Sequence, residues 1–129
     1  MGQRNRWVLL EHIVTPNDPQ GNHFDLLLED GAGCRTWRLP QIPVLDGPAL
    51  KALPMPLHRL AWLEKQQGEV SGAGGLAKRI KGGVFSGSLP ISQQEPVSVF
   101  LMTNEFEGCL EIHENLCQLR SVTHRTLKG

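Results

Sequence analysis

The sequence predicts an all-β, mainly antiparallel domain: a small closed or partly closed β-barrel of about eight strands with one long proline-rich connection. Three observations carry this. Fourteen glycines and nine prolines recur along the chain, and the stretches between them are short and rich in Val, Ile, Leu, Phe and Trp. Turn chemistry falls between those stretches, and a length of 129 residues suits one hydrophobic core rather than two. The expectation is therefore a single domain spanning residues 1–129.

The elements follow in order. Trp7 to Val14 and Asn22 to Glu29 read as the first two strands, and "EDGAGC" (29–34), with its Asp-Gly step, reads as a hairpin turn into a strand over Arg35 to Leu39. Pro40 to Pro56 holds five prolines, so it is expected to be irregular apart from a helical turn around Pro48 to Leu53, with Pro at the first helical position. Further strands are expected over Arg59 to Glu64, Ala77 to Ile80, Val97 to Thr103, Gly108 to His113 and Cys117 to Thr123, with "NEFEGC" (104–109) as another turn. The tail from Thr123 is expected to fray.

Thirteen basic and thirteen acidic residues cancel, so no global field draws the chain to nucleic acid, and phosphate recognition has to be local. No run of about 18 apolar residues is present to span a bilayer, and the apolar run near the start is interrupted by Glu11 and His12 without a cleavage site. The expectation is a cytoplasmic, monomeric protein without a membrane partner. Cys34, Cys109 and Cys117 lack a Cys-x-x-Cys pair, so they read as reduced, mostly buried thiols.

Alternation places His23, Asp25, Leu27 and Glu29 of "HFDLLLE" on one strand face and Phe24, Leu26 and Leu28 on the core face. Alternate Cα atoms lie roughly 7 Å apart, close enough for an imidazole and a carboxylate to reach one ion. His12, at the end of the preceding strand, is the candidate third ligand, and such a set suits Mn²⁺, Fe²⁺ or Zn²⁺ with positions open to substrate oxygens. From spacing alone, a His–Asp hydrogen bond at a barrel end is the commoner explanation of such a pattern.

His58 in "PLHRLAW" is expected to open a strand, and on its own reads as a loop histidine. The stretch "GEVSGAGGLAKRIKGG" (68–83) could cradle a phosphate through backbone N–H groups and local charge; hairpin alternation accounts for Lys78 and Ile80 equally. It has no P-loop order, and Ser71 has no nucleophile-elbow context. His113 and His124 read as surface residues.

Taken in order, "LEHIV", "HFDLLLE", "TWRLP", "HRLAWLEKQQGEVSGAGG" and "KRIKGGVF" resemble the 3′-phosphoesterase domain of bacterial end-joining DNA ligases of the ligase D type, closest to its small stand-alone members. The resemblance covers roughly residues 6–86. It implies a small β-barrel that uses Mn²⁺, or a similar divalent transition metal, to remove a terminal ribonucleoside and then a 3′-phosphate from a nucleic-acid 3′ end in DNA repair. By resemblance the metal ligands fall on His12, His23 and Asp25, the histidine on the scissile phosphate falls on His58, and the aromatic four residues later falls on Trp62. A separate repair ligase is the partner this implies; a small phosphoester is the other substrate class.

The departures are specific. Leu27 stands where ligase-fused domains carry a phosphate-binding arginine, and its replacement would have to come from Arg38, Arg59 or Arg79. "NDPQG" lengthens the spacing between His12 and His23, and the charged residues of the fused domains' N-terminal extension have no counterpart in the eleven residues before His12. Two further readings stay open: a metal- or phosphate-binding module that has lost turnover with the arginine, and histidines that are purely structural.

Overall fold

A computed structural model of the chain describes residues 5–13, 22–69, 75–105 and 107–122. Nearly all of it is antiparallel β-structure. The strands are β1 (Asn5–Ile13), β2 (His23–Asp30), β3 (Gly33–Leu39), β4 (Leu50–Lys51), β5 (Leu53–His58), β6 (Gln67–Glu69), β7 (Leu76–Ser86), β8 (Val97–Met102), β9 (Glu107–His113) and β10 (Leu116–Arg120). They form one ten-stranded sheet in the order β4-β10-β9-β8-β7-β1-β2-β3-β5, with β6 added beside β7.

The sheet curls into a partly closed barrel, because β4 lies on one edge and β5 on the other while only Ala52 separates them in the chain. Ala52 is fully buried, and its N–H donates to Asn115 O at 2.7 Å where the chain passes between the two edges. The barrel interior is apolar, built around Trp7, Leu9, Leu26, Leu28, Trp37 and Phe85. Those positions on β1 and β2 alternate as a period-2 pattern requires, with Trp7 facing Leu28 and Leu9 facing Leu26 across the ladder.

The turns follow their chemistry. Gly31 begins the two-residue β2–β3 loop at φ +64°, which glycine adopts without a steric penalty. Glu114 and Asn115 join β9 to β10 with φ of 54° and 64°, the doubly left-handed pattern that matches strand twist.

The expected strands over the first two hairpins, β3 and the C-terminal strands are present; the middle of the chain differs. Pro40 to Pro56 was expected to be irregular with a helical turn, yet Leu50–Lys51 and Leu53–His58 are strands. Prolines 54 and 56 are accommodated because β5 is an edge strand, where a missing N–H leaves no ladder partner without a donor. His58 consequently closes β5 instead of opening a strand.

Arg59 to Glu64 was expected to be a strand and is instead a short 3₁₀ helix, Leu60–Leu63, with neighbouring Trp62 and Leu63 both buried. Two consecutive buried residues suit a helical turn laid on a sheet and not an alternating strand. This turn covers the outer face of β1 to β3, making a second small core with Val8, Leu10, Leu27 and Cys34. β7 runs seven residues further than expected at Ala77 to Ile80, gaining Leu76 before it and six residues after it. Val14, the "NDPQG" segment, residues 70–74 and the tail from Thr123 lie outside the described residues, as does His124. Among the described residues no helix is long and apolar enough to cross a membrane.

Candidate metal centre

The site lies where the outer face of the β1–β2 ladder changes from apolar to polar. His12 and His23 are Cα partners across that ladder, and Asp25, two residues further along β2, pairs with Leu10 on one side and Arg38 on the other. Side chains at i and i+2 share a face, so His12, His23, Asp25 and Arg38 are brought together by register alone. Moving back along the same face, Leu27 and Val8 lie under Trp62 and Leu63, and Leu27 is 0% exposed.

His12 Nδ1 and His23 Nε2 are 2.7 Å apart, with the rings edge to face at a centroid distance of 4.5 Å. One ligand atom from each of His12, His23 and Asp25 lies within 4.8 Å of the others. The three residues are only 5%, 8% and 5% exposed. A carboxylate and two imidazoles converge there in a setting where burial penalises charge unless it is compensated. The donor set of two imidazole nitrogens and one carboxylate oxygen suits a divalent first-row transition ion, and the residues present fit one. The expected three-residue cluster is therefore assembled.

Arg38 and His58 address the same carboxylate from the cleft side. Arg38 Nε donates to Asp25 Oδ1 at 3.2 Å, and His58 Nε2 stands 3.9 Å from Asp25 Oδ2. His58 Nδ1 lies 3.1 Å from the carbonyl oxygen of Pro56. With Nδ1–H donating to that carbonyl, Nε2 is the ring nitrogen turned toward Asp25 and the cleft, the arrangement that backbone carbonyls impose on working histidines. The cleft has a volume of about 370 Å³, with His12, Asp25, Arg38 and His58 on its floor and Arg59 and Glu69 among its polar lining.

The three arginines considered for anion binding separate clearly. Arg38 and Arg59 line the cleft, Arg59 as an exposed residue leading into the 3₁₀ turn. Arg79 does not line it: its Nη1 donates to Leu63 O at 3.0 Å, holding the end of that turn. Trp62 does line the cleft, and the ammonium of Lys65 sits 4.9 Å from its ring centroid. His113 is exposed at the end of β9.

Two parts of the site escape sequence reasoning. Glu69, on β6, reaches the cleft because Gly68 and Glu69 pair with Ala77 and Leu76 of β7; its signal was a single carboxylate within a small-residue stretch. Met55, Pro56 and Leu57 form an apolar wall because the proline-rich segment is a strand. Compared with protein-family models and with curated proteins, the chain matches none of them.

Proposed function

We propose that this protein is a metal-dependent phosphoesterase acting on 3′ ends of nucleic acid, removing a 3′-ribonucleoside or a 3′-phosphate in DNA end repair. The observation that carries the reading is the buried His12, His23 and Asp25 cluster opening onto a cleft in which Arg38 and His58 face the same carboxylate. Mn²⁺, or another divalent transition ion held by those three residues, would supply Lewis acidity and neutralise charge on a phosphate oxygen.

The remaining work falls to the chain's own groups. Arg38 offers a guanidinium for a second phosphate oxygen, and its bond to Asp25 holds that carboxylate in place. His58, its Nδ1 satisfied by Pro56 O, presents Nε2 to the cleft. When protonated there it can give a proton to the oxygen that leaves phosphorus as water attacks. The reading carries with it a monomer in the cytoplasm, working beside a separate repair ligase.

The test is release of 3′-phosphate or of a terminal ribonucleoside from a primer-template in Mn²⁺, beside His23→Ala and Asp25→Ala. Turnover by the wild type that chelation and both substitutions abolish is the expected result. Equal release by wild type and variants would overturn it.

A second reading is favoured by Leu27, an apolar core residue where the resembling domains carry a phosphate-binding arginine. It is a module of the same fold that binds metal and phosphate without turnover. Mn²⁺-dependent phosphate binding with no product release would select it.

A further inference from the structure

Beside its polar floor, the cleft has an apolar wall that metal and phosphate chemistry does not use. Met55, Pro56 and Leu57 of β5 form it together with Leu10 and Trp62. Leu57 is 67% exposed, and Pro56 is also exposed. A single exposed leucine is ordinary, but one lining a concave site that also holds Arg38 and His58 is where the apolar part of an anionic ligand would sit.

β5 is an edge strand, so a peptide adding to it is the obvious rival occupant. Pro54 and Pro56 exclude that, since neither has an N–H to offer a further strand. The wall thus recognises by surface contact and not by backbone pairing. Trp62 lines the cleft but is only 8% exposed and carries Lys65 over its ring, so most of the wall's exposed surface belongs to Pro56 and Leu57.

Resting on the phosphoesterase reading of the floor, we infer that this wall is a nucleobase subsite. It takes the base of the terminal nucleotide whose 3′-phosphate meets Arg38, His58 and the ion that His12, His23 and Asp25 would hold. The cleft volume of about 370 Å³ lies in the range that holds one small ligand. Aliphatic contacts carry no hydrogen-bond code, so the subsite tolerates any base while selecting nucleoside phosphates over inorganic phosphate.

Calorimetric titration of the Mn²⁺-loaded protein with a non-hydrolysable 3′-phosphonate analogue of deoxyadenosine 3′-monophosphate and with inorganic phosphate tests this. Covering one leucine-sized patch corresponds to about a tenfold gain in affinity for the nucleotide. Leu57→Ser, at an exposed position that leaves the core intact, should cut that preference to about threefold or less without changing phosphate affinity. Circular dichroism checks that the variant is folded. Equal affinity for the two probes, or a preference that survives both Leu57→Ser and Met55→Ser, overturns the subsite while the metal–phosphate reading stands. No binding of either probe overturns both.

Discussion

Arg38 stands directly across the β2–β3 ladder from Asp25, with its Nε 3.2 Å from Asp25 Oδ1. The pair matters because Asp25 is 5% exposed, and a carboxylate so placed needs a cation. Removing the guanidinium by Arg38→Ala should destabilise the metal-free protein by about 1–3 kcal/mol. Adding Mn²⁺ should shrink that deficit, since an ion held by the same carboxylate replaces the lost charge. Urea unfolding with and without Mn²⁺ measures both, and an identical deficit under the two conditions would show that Asp25 faces no metal.

Leu27 raises the opposite question, whether an arginine could simply be restored there. Its side chain is fully buried against Val8, Trp62 and Leu63, beyond the point where the face turns polar. Leu27→Ala should cost about 2–5 kcal/mol through the cavity it leaves. Leu27→Arg should cost more, because its charge must be buried or the 3₁₀ turn displaced. It should gain no affinity for phosphate. Urea midpoints and phosphate titration of both variants decide this; a stable Leu27→Arg protein that binds phosphate more tightly would contradict the packing described.

The thiols give a test of core integrity. Burial pushes the Cys34 thiol up to about 11 and Cys117 up to about 12, while Cys109 is half-buried with Sγ 3.7 Å from Ser98 Oγ. A thiol reagent at pH 8 should label Cys109 first and leave Cys34 and Cys117 unmodified in the native protein, because the thiolate is the reacting form. All three should react in urea. Rapid native labelling of Cys34, identified by peptide mapping, would mean that the 3₁₀ turn does not stay on the sheet.

Much of this site was readable because it lies on regular strands. Period-2 alternation alone put His23 and Asp25 on one face, and a hairpin sufficed to bring His12 level with His23, as the ladder register has it. What alternation could not reveal was that this face is also covered. Nothing local says that Trp62 and Leu63 form a lid over Leu27, because that depends on where the chain returns after β5. Prolines 54 and 56 hid β5 for a related reason: a proline argues against a central strand, but an edge strand is identified only by the finished sheet order. Arg79 was a candidate by charge, and only its bond to Leu63 O shows it committed elsewhere.

The end of the lid is held by a second ion pair, which makes its stability depend on pH. Arg6 Nε lies 3.2 Å from Glu29 Oε1 and Arg6 Nη1 lies 3.1 Å from Glu64 Oε2, just after the 3₁₀ turn. The hydrogen bond from the Arg6 side chain, aided by its backbone N–H, holds the Glu29 carboxyl below its ordinary value of 4.5. A depressed carboxyl contributes stability that is fully present above the unfolded value and is lost as pH falls through the lower folded one. The Glu29 and Glu64 carboxylates raise Arg6 further above its already high ordinary value, so it stays charged throughout that window. Glu29→Gln should therefore be less stable than wild type at pH 7 by about 0.5–1 kcal/mol, the modest size reflecting solvent access to the pair. The difference should narrow below about pH 4.5 and disappear once Glu29 is protonated in the folded protein. Urea unfolding of both proteins from pH 7 down to pH 3 follows this directly, and a gap that widens on acidification would reverse the sign assigned to Glu29.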